Sequence, residues 1–121
     1  MKLLRLFVLL LVFVAPAFAQ SHSAALSWTL STDDVAAICT TVGTTCSQAV
    51  YRAPGACSTS SVFVLISSPS ATATTFTDTT ITPGTYCYAV TFVENSLEST
   101  KDTITVILPP SSPSGLAVVA K

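Results

Sequence analysis

Charge is what this sequence has least of. Only 9% of its 121 residues are Asp, Glu, Lys or Arg, against roughly 25% in an average soluble domain. Five basic residues against six acidic ones leave no surplus to neutralise a phosphate backbone, which excludes nucleic-acid binding. Histidine occurs once, at His22, and the four glycines are scattered, so there is no phosphate-cradling loop. A reaction needs convergent acids, bases or an activated nucleophile, and the chain offers none in combination. It reads as a non-enzyme without a cofactor. The one adjacent acidic pair, Asp33-Asp34, suits a solvated turn or a cap better than a cation site. No apolar run reaches the roughly 20 residues of a membrane-spanning helix, and the length allows one small domain.

What the chain does have begins with a leader. Lys2 and Arg5 precede the apolar run Leu6 to Val14, and Ala17-Phe18-Ala19 supplies the small-x-small cleavage pattern. Residues 1–19 are therefore expected to be a signal peptide, and the protein to be secreted or periplasmic with no membrane span after cleavage. The segment from Gln20 to Lys121 holds 16 serines and 19 threonines against three basic and six acidic residues. Its polarity comes from hydroxyls, which suits pleated strands because Thr packs well there with its hydroxyl still in water.

All four cysteines, Cys39, Cys46, Cys57 and Cys87, follow the leader. An even count in a short exported chain reads as two disulfides, with three pairings possible. Gaps of seven, eleven and thirty positions do not match the close ligand pairs of a zinc site, so no metal is expected.

Hydrophobic periodicity is nearly all of period two. Leu26, Trp28 and Leu30 alternate with Ser27 and Thr29, and Tyr86, Tyr88, Val90 and Phe92 alternate with Cys87, Ala89, Thr91 and Val93. Further strands are expected over 48–52, 62–66, 74–77 and 103–108, with turns at Pro54-Gly55, 67–70 and Pro83-Gly84. Only 33–38 has room for a helical turn. Six short strands in about 100 residues predict an all-β, two-sheet sandwich with Trp28 as its largest core member.

The run HSAALSWTL at 22–30, Val50-Tyr51-Arg52, Phe76-Thr77-Asp78-Thr79-Thr80, Pro83-Gly84-Thr85-Tyr86 and Glu98-Ser99 together resemble a bacterial fibronectin type III domain. The resemblance covers nearly the whole exported segment and implies an immunoglobulin-like sandwich of six to seven strands over residues 20–108. It places 26–30 as the family's strand B, 48–52 as C, 62–66 as C′, 74–77 as E, 86–93 as F and 103–108 as G. Tyr86 then takes the tyrosine-corner position, with its ring in the core and its hydroxyl bonded to nearby backbone. Because C and F are antiparallel neighbours, the resemblance also implies the pairing Cys57–Cys87, leaving Cys39–Cys46 to clip the long B–C insertion. Gln48 departs from the pattern, since an aromatic is usual there, and implies a shifted or loosely packed strand.

A second departure lies at the ends. Cleavage after Ala19 leaves too few residues for the family's strand A, while 109–121, PPSSPSGLAVVAK, resembles the opening of such a domain. Three readings of this Pro/Ser-rich tail stand open. It is a disordered remnant; it folds back onto its own strand B; or Leu116, Val118 and Val119 are donated to the next molecule and cover an exposed edge.

The resemblance implies a non-catalytic module making protein or carbohydrate contacts at or outside the cell surface, through loops 40–45, 68–72 and 94–98 gathered at one pole. Tyr51 on the outward face of strand C, with Glu94, Asn95 and Glu98, are the candidate binding residues, and no particular ligand is specified. The alternative is an assembly component that self-associates through its C-terminal tail.

Overall fold

The computed structural model of the chain describes residues 21–31 and 39–119. The expected leader, the Asp33-Asp34 pair and the helical turn expected at 33–38 lie outside the described residues. The described residues form seven strands: β1 (His22–Ser27), β2 (Cys46–Pro54), β3 (Val64–Ser67), β4 (Thr75–Ile81), β5 (Gly84–Glu94), β6 (Leu97–Glu98) and β7 (Asp102–Leu108). No helix occurs among the described residues.

β1 and β4 pair antiparallel as a two-stranded sheet. The second sheet runs β3-β2-β5, and β6 and β7 share the far edge of β5, all antiparallel. Between the sheets lies one apolar core of Ala24 and Leu26 from β1, Val50 from β2, Ile81 from β4 and Tyr88 from β5. Period two is what creates it, since Val50 faces Val90 across the β2–β5 ladder on the same side as Tyr88. The opposite face of this sheet is also covered: Ala49, Ala53, Cys87, Ala89 and Thr91 are buried there. Small residues at these positions let the chain after Pro54 lie close over the sheet. The Gly55 amide donates to the Thr85 carbonyl at 2.9 Å, and the Cys57 amide to Thr105 Oγ1 at 3.0 Å.

Cys39 is bonded to Cys46 and Cys57 to Cys87, with Cα atoms 5.6 and 4.8 Å apart. Two disulfides suit an oxidising environment outside the cytoplasm. No helix among the described residues is long and apolar enough to cross a membrane.

Three expectations need correction. The first strand starts four residues earlier than the 26–30 alternation suggests and ends at Ser27. Trp28 continues its inward face and packs on the core, but only half-buried, and the largest fully buried side chain is Tyr88. The reason is its location, beyond the last residue of a strand whose outer edge carries no partner strand among the described residues. Gln48, in turn, does not loosen β2. Its side chain is buried, and Nε2 donates to the carbonyls of Ala71 at 2.8 Å and Ala73 at 2.6 Å, while its backbone amide donates to Pro69 O. A buried amide with its donors satisfied ties β2 to the 70–73 turn.

Pro83-Gly84 carries the chain from one sheet to the other, and the Tyr86 hydroxyl donates to the Thr82 carbonyl at 3.1 Å. Its ring packs against the core from a partly buried position.

Candidate functional site

On the outer face of the larger sheet, β2 and β6 bring together two of the four candidate binding residues, Tyr51 and Glu98, with Lys101 just after β6. Glu98 accepts a hydrogen bond from Thr91 Oγ1 at 2.6 Å and lies 3.9 Å from Lys101 Nζ. The Lys101 ammonium stands 4.6 Å from the Tyr51 ring centroid and 5.9 Å from that of Phe63, and the two rings meet edge to face at 6.5 Å. Hydrogen bonding to Glu98, then burial and the carboxylate's charge, raise the Tyr51 phenol pKa. Hydrogen bonds from Thr91 and Tyr51 hold Glu98 below the usual carboxylate range. The Lys101 ammonium thus engages the ring face a sugar would stack on. This cluster is a clasp over the small residues beneath it.

Glu94 and Asn95 belong elsewhere. Glu94 faces Cys46 and Leu97 in the ladders. Asn95 and Ser96 form the two-residue turn between β5 and β6, with φ of 47° and 71°, the doubly left-handed geometry that suits a tight hairpin. Asn95 Oδ1 accepts from the Thr45 amide at 2.9 Å, and the Asn95 amide donates to Thr45 O at 2.9 Å. Together with the Gln48 contacts, these bonds draw the loops at 40–45, 68–72 and 94–98 toward one pole. The four candidates therefore do not converge: Tyr51 and Glu98 share one face, and Asn95 is spent on a turn.

Sequence reasoning missed a charged pair between the sheets, Arg52 with Asp78. Asp78 on β4 is buried, and Oδ2 accepts from Arg52 at 2.6 Å and from the Tyr88 hydroxyl at 2.9 Å. Its Oδ1 takes the Thr80 amide at 2.9 Å and the Thr80 hydroxyl at 2.7 Å. Burial opposes the charge on Asp78, but the Thr80, Tyr88 and Arg52 hydrogen bonds together outweigh it and lower its pKa. Burial, then the Asp78 carboxylate, pushes the Tyr88 phenol up to about 12. Every oxygen of this carboxylate is engaged, so it serves as a tie between sheets and has no lone pair to spare for chemistry. Only the alternation that puts Arg52 and Asp78 on inward faces hinted at it.

The most open feature is the free edge of β1. Among the described residues β1 pairs only with β4. The Trp28 amide donates to Thr74 O at 3.0 Å; bonding alternates along an antiparallel ladder, so the Ala25 and Ser27 amides point away from β4. Beside this edge runs a groove in two adjoining stretches of about 320 and 300 Å³. Leu26 and Trp28 form one wall, Tyr88 and Val90 the floor, and Thr103 and Ile104 of β7 the other wall. Trp28 Nε1 is buried, with no hydrogen-bond partner among the described residues.

Residues 109–119 form no strand and are exposed throughout, so these described residues of the tail do not fold back onto β1. Leu116, Val118 and Val119, the candidate donated strand, present their apolar side chains to solvent. No group of three or more His, Cys, Asp or Glu side chains converges among the described residues. No protein-family model, curated protein or solved structure matches the chain.

Proposed function

We propose that the chain is an exported, non-catalytic module of fibronectin type III-like architecture that makes protein contacts by accepting an extended segment at the free edge of β1. The single observation that carries this is the apolar groove along that edge, lined by Leu26, Trp28, Tyr88, Val90 and Ile104, with two outward amides of β1 on one side. A strand laid there pairs with the Ala25 and Ser27 amides through its backbone and buries alternate side chains against Leu26, Tyr88 and Ile104. Strand pairing supports the fold part of the proposal: β1 with β4, and β5 between β2 and β7, match the family's B–E, C–F and F–G neighbours. The hydrogen bond from the Tyr86 hydroxyl to the Thr82 carbonyl supports the corner role that the resemblance implies for Tyr86. Two disulfides and the leader-like first 19 residues support export. Protein contact is favoured over carbohydrate because the best-placed ring, Tyr51, is capped by Lys101.

Trp28 is the only tryptophan, which makes the test direct. Titrating the oxidised chain, truncated after Leu108, with proline-free peptides of alternating Leu or Val is expected to shift Trp28 emission to the blue, saturably. Ile104→Asp, at an exposed groove position, is expected to weaken binding at least tenfold. Emission unmoved by such peptides, or moved equally by polysaccharides, would refute the proposal.

A further inference from the structure

The groove raises the question of which strand it takes, and the chain carries a candidate in plain view. Leu116, Val118 and Val119 are 98%, 90% and 88% exposed, a contiguous apolar segment without a partner. Leu116 and Val118 share one face of an extended chain, so a strand over 115–119 offers the two-residue period the groove needs. Gly115, with φ of 77°, sets the segment off from the Pro/Ser-rich stretch before it.

Resting on the reading of the β1 edge as a strand acceptor, we infer that the occupant is residues 115–119 of a second copy of this chain, inserted antiparallel to β1. Strand direction distinguishes the second copy from the chain's own tail. His22 pairs with Ile81 and Leu108 with Gly84, so the start of β1 and the end of β7 lie at the same pole; Trp28 and Asp102 lie at the other. A tail leaving Leu108 and turning straight back along the groove would run parallel to β1, the less stable pairing. To run antiparallel it must first travel to the far pole. Residues 109–115 span about 22 Å in the extended conformation that prolines favour, and β7 alone is about 23 Å long, so nothing is left for the reversal. Pro109 and Pro110, directly after β7, also carry the chain outward.

The same polarity sets the form of the assembly. The donor's tail leaves at its Leu108 pole and enters the acceptor at its Trp28 pole, so opposite ends of the two molecules meet. That contact is head-to-tail and does not close on itself, and its repetition gives a linear polymer. Each junction sheathes the free edge of β1, which is otherwise a template for indiscriminate pairing.

Sedimentation velocity of the full chain, exported and oxidised, tests this across a concentration series. The full chain is expected to grow with concentration through dimer, trimer and longer species. Truncation after Leu108, and the double substitution Leu116→Asp with Val118→Asp in the exposed tail, are each expected to leave a monomer. Mixing the truncated chain, which keeps a groove, with an Ile104→Asp chain, which keeps a tail, is expected to give a complex that stops at one copy of each. A full chain that stays monomeric at every concentration would overturn the inference, as would a truncated chain that associates equally well. If that monomeric chain's truncated form still binds the alternating peptides, only the identity of the occupant is wrong; if it binds none, the strand-acceptor reading falls with it.

Discussion

Replacing Asp78 with alanine is expected to remove about 3–5 kcal/mol of folding stability, the usual cost of breaking a buried ion pair by deleting one member. Domains of this size have roughly 5–15 kcal/mol in all, so the loss is a large fraction of the total. The cause is what remains behind. The Tyr88 hydroxyl is buried with its acceptor gone, and the Arg52 guanidinium, partly buried between the sheets, loses its counter-charge. Tyr88→Phe, which leaves Asp78 its Arg52 and Thr80 partners, is expected to cost only about 1–2 kcal/mol. The pH dependence follows from the sign of the shift. Asp78 has a folded pKa below its unfolded value of about 3.9, so its contribution is complete above that value and is lost as pH falls through the folded pKa. Urea unfolding of the oxidised protein between about pH 5 and pH 2 is expected to show a fall in stability that is shallower in Asp78→Ala. An unchanged pH profile in the variant would mean that other carboxylates carry the acid response.

Removing the Cys57–Cys87 bridge, as Cys57→Ser with Cys87→Ala, is expected to cost about 3–4 kcal/mol. Removing Cys39–Cys46 is expected to cost about 2–3 kcal/mol, because the stabilisation grows with the length of chain closed, 30 positions against seven. Packing adds to the difference. Cys87 is fully buried on the outer face of β5, and the bridge holds the segment after Pro54 over Ala53 and Ala89. Its loss is expected to loosen that cover first, along with the Thr105 contact to the Cys57 amide. Chemical denaturation of the two variants beside the parent, all otherwise oxidised, measures both values. A larger loss for Cys39–Cys46 would contradict the chain-closure argument.

The strands that proved legible were those with long, regular alternation. The Tyr86–Phe92 run gave β5 to within two residues, and 103–108 gave β7 to within one, because both carry large apolar residues at every second position. β1 was displaced because its inward residues near the start include Ala24, too small to register as a hydrophobic beat, whereas Leu26, Trp28 and Leu30 look like a complete strand. β6 was missed altogether. Two residues carry no period, and its turn, Asn95-Ser96, lacks the glycine that usually marks a doubly left-handed hairpin. Gln48 misled for a related reason: polarity at an inward position is informative only once its acceptors, the Ala71 and Ala73 carbonyls more than twenty positions away, are in place.

The candidate site was legible in pieces. Tyr51 was correctly set on the outward face of its strand, but nothing in the sequence brings Lys101 over its ring, since that contact depends on how the chain crosses the sheet after β6. The Arg52–Asp78 pair joins strands from different sheets, 26 positions apart, and no local pattern specifies such a partner. The tail's apolar segment could be read directly because it lies in an otherwise polar, proline-rich stretch. The groove beside β1 could not, because its walls come from both sheets.

Hydrogen exchange at the Ala25 and Ser27 amides of the oxidised full chain is the most direct test of strand insertion at β1, since these two N–H groups point to the open edge. At assembling concentrations they are expected to exchange slowly, as the β4-bonded amides of Leu26 and Trp28 do, and to become fast on dilution or after truncation at Leu108. Fast exchange at Ala25 and Ser27 under all these conditions, with Leu26 and Trp28 still protected, would show that no strand occupies the edge.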